Sequence, residues 1–329
     1  MKKIVTIFLS ILMVFSICLV GCKSSKDTIR LNEVTHSVFY APLYVAINKG
    51  YMEEEGIKIE LNSGQGSDVS MAALLSGNAD VALLGPETVV YVHAEGSTNH
   101  PMIFGQLTKR DGSFLVSRTK IDNFDWKTSL ENKTVIAGRR GGMPAMTFEW
   151  LCNQNSLYNG TNITLDLETA FGAMVPTFQG GKGDFCTMFE PTATEYQNAG
   201  LGYIVGSVGE YSGEIPYTVF MASRNFMSKN PDKIKGFLRA IEKAYNFIMT
   251  SSDDEVAEAL LPSFDGSTKE SLAIAVASYK SIDAWMATPA MTEASYRRLL
   301  EVLRHSGTLS EDAVVNFSDV VDNSFALSI

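Results

Sequence analysis

The sequence predicts an α/β protein built as two similar lobes, and three observations carry that expectation. Apolar, strand-like runs alternate with helix-like segments from Thr28 onward; the alternation restarts after Trp126; and one stretch of the first half recurs in the second without a gap. In the first half, residues 28–34 read as a strand, 41–49 as a helix, 57–61 as an alternating strand, 68–76 as a helix and 81–84 as a short apolar strand. Residues 86–94, 102–107 and 114–118 continue the series. The second half repeats it with strands at 134–137, 163–167 and 185–189 and helices at 144–153 and 174–179. One more strand, 218–222, precedes a tail that reads as almost wholly helical from Asn230. In such an order, ligands are expected where strand ends meet helix starts.

The recurring stretch is GNADVALLGPETVVYVHAEG, residues 77–96, against GKGDFCTMFEPTATEYQNAG, residues 181–200. Gly77 matches Gly181, Asp80 matches Asp184, Thr88 matches Thr192 and Gly96 matches Gly200, all at one offset of 104 (181 less 77, 200 less 96). Each copy has a turn glycine, an Asp before a buried strand, and a Pro and a Glu at the strand's end.

Composition sets the outer limits. The chain has 329 residues, 45% of them hydrophobic, and residues 27–329 suffice for one large or two medium domains with a real core, which argues against disorder there. A formal net charge of −10 without any Lys/Arg cluster argues against nucleic acid as a partner.

The N-terminus carries an address. Lys2 and Lys3 precede an uncharged apolar run, residues 4–20, that is short for a membrane span and fits a secretion signal. The run closes on Leu19-Val20-Gly21-Cys22 and gives way to polar Lys23-Ser24-Ser25-Lys26-Asp27. Those four residues resemble a bacterial lipobox, which implies cleavage before Cys22 and lipid on its thiol, each buried CH2 contributing about 0.8 kcal/mol to anchoring. Residues 1–21 are then a lipoprotein signal peptide and 22–27 a lipidated tether, with the remainder on the extracytoplasmic face of the cell membrane. Cys152 and Cys186 lie in apolar surroundings and read as buried thiols, though an oxidising compartment leaves a bond between them open.

HSVFYAPLYVAINKGYMEEEGIKIEL, residues 36–61, resembles the opening of the solute-binding proteins of ABC importers that take thiamine-pyrimidine precursors, riboflavin, sulfonates, taurine or nitrate. The helix-ending turn Gly50-Tyr51-Met52-Glu53-Glu54-Glu55-Gly56 before an Ile-rich strand carries the likeness, and GQGSDVSMAALLSGNADVALLGPE and GDFCTMFEP extend it. The resemblance implies a two-lobed periplasmic-binding-protein-like fold of type II, an interlobe cleft and two crossing hinge strands. Lobe 1 is expected at 28–117 plus 223–329 and lobe 2 at 118–222. It also implies a monomeric receptor that takes a small-molecule ligand without a cofactor and passes it to a permease and ATPase, with the lipid on Cys22 holding it near them.

Catalytic signatures are missing from the sequence. His36, His93, His100 and His305 show no metal-ligand spacing, Gly64-Gln65-Gly66 lacks a third spaced glycine, and neither a Walker Lys-Ser/Thr nor a Gly-x-Ser-x-Gly elbow occurs. Fungal-type pyrimidine synthases resemble these receptors but carry a cysteine-rich motif that this chain does not have. A binding protein, not an enzyme, is expected, with no metal site.

The candidate ligand contacts are loop residues at strand and helix ends, each with a structural alternative. His36 and Tyr40 precede the first helix and are contacts or packed core residues. Gly64, Gln65 and Gly66 allow close backbone approach, with Asp68 an ordinary helix cap. Glu87 is a contact or a first-turn acid that complements the helix dipole, and Gln106 bonds ligand or loop. Arg139, Gly141, Gly142 and Met143 lead into a helix start and form an anion site or a plain glycine turn. Glu190 leads the set because the family often places a contact there; a helix-start acid competes. Tyr217 stacks on a ring or packs the hinge, and Trp285 reads as core. If Glu190 lines the cleft, its carboxylate disfavours an anion, so a nitrogen heterocycle is expected ahead of a sulfonate-type anion.

Overall fold

The computed structural model describes residues 27–329; the signal segment 1–21, Cys22 and the tether through 26 lie outside the described residues. Strand β1 (Thr28–Glu33) alternates half-buried and buried positions, with Ile29, Leu31 and Glu33 turned inward. Helix α1 (Ala41–Asn48) starts with Pro42 in its first turn and stops at Gly50, whose left-handed φ of 74° a side chain would resist. After the single turn α2 (Tyr51–Glu54) come β2 (Lys58–Ser63), α3 (Ser67–Leu75), β3 (Val81–Leu84), α4 (Glu87–Ala94) and β4 (Met102–Thr108).

The chain then crosses to β5 (Ser113–Ser117) and builds β6 (Thr134–Ile136), α5 (Met143–Gln154), β7 (Thr164–Asp166), α6 (Met174–Gln179), β8 (Phe185–Phe189), α7 (Thr192–Asn198), β9 (Tyr203–Ser207) and α8 (Val208–Ser212). It returns as β10 (Thr218–Ala222) and ends in α9 (Arg224–Lys229), α10 (Pro231–Thr250), α11 (Asp253–Leu260), α12 (Lys269–Ser281), α13 (Glu293–His305) and α14 (Phe317–Val320). The sheets are ordered β2-β1-β3-β10-β4 and β7-β6-β8-β5-β9. Both place one strand, β10 or β5, antiparallel beside an otherwise parallel set.

That pairing corrects the expected lobe boundaries. β5 was expected in lobe 1 and β10 in lobe 2, whereas β5 pairs with β8 and β9, and β10 with β3 and β4. The crossovers are therefore residues 109–112 and 213–217. Both strands are buried along their whole length, so their composition reports a sheet interior without saying which sheet. The strand β9 and helix α7 also went unread in the sequence, β9 because it is a largely half-buried edge strand.

The internal repeat has a structural meaning. Asp80 Oδ2 accepts from the Arg30 N–H at 2.9 Å, and Asp184 Oδ2 accepts from the Thr134 N–H at 2.9 Å. In return the Asp80 N–H donates to the Arg30 carbonyl and the Asp184 N–H to the Thr134 carbonyl, both at 2.8 Å. Each Asp thus fastens the central parallel strand of its lobe, β3 or β8, to the neighbouring β1 or β6.

The C-terminal helices complete lobe 1. α10 buries Ile234, Phe237, Leu238, Ile241, Ala244 and Ile248 at helical spacing, each large side chain contributing about 1.5–3 kcal/mol, and Phe237 meets Phe220 of β10 edge-on at 4.8 Å. Trp285 is core: its indole N–H donates to the Phe39 carbonyl at 2.8 Å. Cys152 and Cys186 are buried, unbonded thiols, and burial pushes both up to about 12. Among the described residues no helix is long and apolar enough to cross a membrane.

Candidate functional site

A cavity of about 540 Å3 lies between the lobes, a volume suited to a small metabolite. Its floor is made by Tyr40, at the cap of α1, Glu87, the first residue of α4, and Tyr217 and Thr218 at the return crossover. Lobe 1 adds residues 65–68, Met71 and Leu75 along α3, and Tyr91 one turn beyond Glu87 on α4. Lobe 2 adds the glycine turn 138–144 with Ala170, Phe171 and Phe189.

Glu87 is the chemically distinctive group. It is 1% exposed, and among the described residues its Oε2 has no hydrogen-bond partner and no cation pairs with it. Burial pushes its carboxyl up to about 8, against the charged-form preference of its own N–H and that of Met143. At neutral pH it is therefore largely protonated, able to donate and accept one hydrogen bond each. Gly85 makes its placement possible, because a Cβ there would sit 1.9 Å from Glu87 Oε2.

The lobe 2 wall is a tight turn. Gly138 and Gly141 hold φ of 111° and 83°, and Gly142 caps α5. The N–H of Met143 faces the Glu87 carboxyl, so part of the expected anion site is met by the protein's own acid. Arg139 is drawn to lobe 1, its guanidinium 3.1 Å and 3.4 Å from the two oxygens of Asp68. The Tyr91 hydroxyl reaches the Gly141 carbonyl at 3.1 Å, a second polar tie between the lobes. Phe171 and Phe189 meet edge-on at 5.6 Å, while Tyr217 meets Phe39 edge-on at 5.7 Å.

Nine of the expected contacts therefore converge on the cavity: Tyr40, Gln65, Gly66, Glu87, Arg139, Gly141, Gly142, Met143 and Tyr217. Four do not line it. His36 Nδ1 lies 2.7 Å from Glu33 Oε1 and Nε2 lies 2.6 Å from the Ser263 carbonyl. Two acceptors call for a proton on each nitrogen, and the Glu33 bond raises the imidazole pKa against burial. Gly64 packs on α3, where a Cβ would meet Ser70 Oγ at 2.5 Å. Gln106 faces inward on β4 and donates to the Thr108 carbonyl at 3.0 Å.

Glu190, the leading candidate, turns back on its own helix. Its carboxylate accepts from the Thr194 N–H at 2.9 Å and the Thr194 hydroxyl at 2.8 Å, capping α7. Its backbone bridges the lobes instead, the carbonyl accepting from Ser37 Oγ at 2.8 Å and the N–H donating to the Tyr279 hydroxyl at 2.9 Å. The sequence reading missed Met71, Tyr91, Phe171 and Phe189. Of these Tyr91 had a signal, since it stands four residues after Glu87 on one helix face.

Two α/β lobes, joined by two crossovers and closed over a cavity with an apolar wall and few polar groups, define a two-lobed binding protein of the periplasmic-binding-protein fold. The chain belongs to the NMT1/THI5-like family, whose profile matches residues 38–255. It is 36% identical to the "Putative binding protein YtlA" of Bacillus subtilis (strain 168) over 93% of this chain and 92% of that protein. Among solved structures it is similar in fold to the periplasmic nitrate-binding protein NrtA of Synechocystis PCC 6803 (TM-score 0.74, 15% identity, 92% of this chain, 88% of that one). It is also similar in fold to a ligand-binding component of an ABC-type import system from Staphylococcus aureus, with zinc bound (TM-score 0.72, 13% identity, 92% and 98%). In the present chain no group of His, Cys, Asp and Glu suited to a metal ion occurs among the described residues.

Proposed function

We propose that this chain is the extracytoplasmic receptor of an ABC importer, held at the membrane through lipid on Cys22, and that its cleft captures a small nitrogen heterocycle such as a thiamine-pyrimidine precursor or riboflavin. The observation that carries the ligand class is Glu87, a buried carboxyl with one unpartnered oxygen in an aromatic-walled cavity. A ring bearing an amino group beside a ring nitrogen offers the donor and acceptor that a protonated carboxyl matches, and Tyr40, Phe171, Phe189 and Tyr217 offer faces and edges to the ring. An oxyanion is less well served, because Arg139 is engaged by Asp68 and the Met143 N–H faces Glu87.

A thermal-shift panel of aminopyrimidines, riboflavin, taurine, alkylsulfonates and nitrate tests the reading. An aminopyrimidine is expected to raise Tm. Glu87→Gln, which keeps a donor and an acceptor, should retain affinity within about tenfold, and Glu87→Leu should lose about a hundredfold or more. Tight binding of a sulfonate or nitrate that survives Glu87→Leu overturns the choice.

A further inference from the structure

The cavity is larger than a single ring requires. An apolar cavity of about 150 Å3 accommodates benzene, whereas this one holds about 540 Å3. The surplus has a direction. Met71, Ala72 and Leu75 line the cavity from α3, and Thr88, Tyr91 and Val92 line it from α4, each set spaced three and four residues apart and therefore on one face of its helix. The two helices are neighbours in lobe 1, so these faces wall a furrow that leads off from Glu87, and from Met71 to Leu75 it runs about 6 Å.

The furrow has no polar group left to offer. The Thr88 hydroxyl donates to the Gly85 carbonyl at 2.7 Å, and the Tyr91 hydroxyl is held between the Gly141 carbonyl and Thr308 Oγ1, 3.1 Å from each. What remains is methyl, thioether and ring surface. Leu75 is 50% exposed at the rim, although its neighbour Leu74 is buried and already serves the core side of α3.

We infer that the ligand is a heterocycle carrying an apolar substituent, an alkyl chain or a second ring, with the polar ring at Glu87 and the substituent in the furrow between α3 and α4, its end at Leu75. A charged or hydroxylated substituent is disfavoured there, because nothing in the furrow replaces the water it would lose. The inference rests on the cavity being the ligand site, and on the heterocycle reading only for the ring at Glu87.

The test uses the mature protein and calorimetry, with 4-amino-2-methylpyrimidine as parent probe and with methyl and butyl pairs of 4-aminopyrimidine substituted at position 2, 5 or 6. At one of these positions the butyl compound is expected to bind about thirtyfold tighter than the methyl one, about threefold for each added methylene. Ala72 and Leu75 are both exposed, so changes there do not burden the core. Ala72→Phe, which fills the furrow, and Leu75→Asn, which makes its rim polar, should each bring that butyl-to-methyl ratio below about fivefold. A butyl gain absent at every position, or one that survives in the folded variants, overturns the inference.

If no aminopyrimidine binds the wild type, the heterocycle reading falls, and 1-hexanol decides the furrow without a polar ring. In protein labelled with 13C at the methionine methyl groups, 1-hexanol should move the Met71 resonance, assigned through Met71→Leu, more than that of the core Met52, and Ala72→Phe should abolish the movement. A Met71 resonance that 1-hexanol leaves unmoved then overturns the inference.

Discussion

Asp68 and Arg139 form a two-point ion pair across the mouth of the cleft, Asp68 from the first turn of α3 in lobe 1 and Arg139 from the glycine turn of lobe 2. Burial works against the Asp68 charge, yet the hydrogen bond and charge of Arg139 leave its pKa lowered. Both side chains are more than half exposed, 58% and 54%, so the pair contributes at most about 1 kcal/mol to folding. Its effect falls on closure. Arg139→Ala should lower Tm by about 2 °C or less and enlarge the radius of gyration in solution scattering, as should 1 M salt on the wild type. Identical scattering curves for the wild type and Arg139→Ala would show that the pair does not latch the lobes.

Gly85 tests the placement of Glu87 without touching the acid. A methyl group at Gly85 collides with the carboxyl, so Gly85→Ala should keep the fold and weaken an aminopyrimidine at least about tenfold by calorimetry. Unchanged affinity would mean that the Glu87 carboxyl does not meet the ligand.

Glu87 also sets a pH dependence. Its folded pKa, about 8, lies above its ordinary 4.5, so its stabilising contribution is complete below about pH 4.5 and declines as pH rises through 8. Asp111 has the same sign but is finished by about pH 6, while His36, whose pKa the Glu33 bond raises above 6.5, also loses its contribution above that value and does so equally in the wild type and in Glu87→Gln. Urea unfolding should show wild-type stability falling relative to Glu87→Gln between about pH 6 and 8. Parallel profiles would remove the claim.

Glu190 is expected to matter for lobe 2 and not for the ligand. Glu190→Ala should cost about 1–2 kcal/mol by removing the cap on α7, with probe affinity unchanged. A variant of normal stability that fails to bind would restore Glu190 to the cleft.

Anchoring is checked at Cys22. Cys22→Ser should leave an uncleaved precursor or release the protein from membranes, and labelled palmitate should mark the wild type alone. Equal membrane retention and labelling of both would contradict the lipid anchor.

Apart from β9 and α7, most of the order of strands and helices was legible because period and composition are local, and the echo of Asp80 in Asp184 was legible because both lobes need the same fastening. Strand partnership was not: β5 and β10 carry all-buried patterns that fit either sheet. The two acids show the same limit inside the site. Glu87 and Glu190 both follow an apolar strand and stand at or just before a helix start, and the sequence does not state which way each turns. Thr194, four residues on, gives Glu190 two donors and draws it onto α7. Gly85, two residues back, clears the space that Glu87 occupies. Those small neighbours, more than the acids themselves, held the information.

The exchange of β5 and β10 between the halves fixes an order of events in synthesis. All five strands of the second sheet lie between Ser113 and Ser207, so that lobe has its full sheet before the rest of the chain is made. In the first sheet β3 and β4 are separated by a gap that only β10 fills, and the helices that cover Phe220 come later still. The earliest-made part of the protein is therefore the last to be finished. Until β10 arrives, that sheet keeps two open strand edges, the kind of edge that invites mispairing.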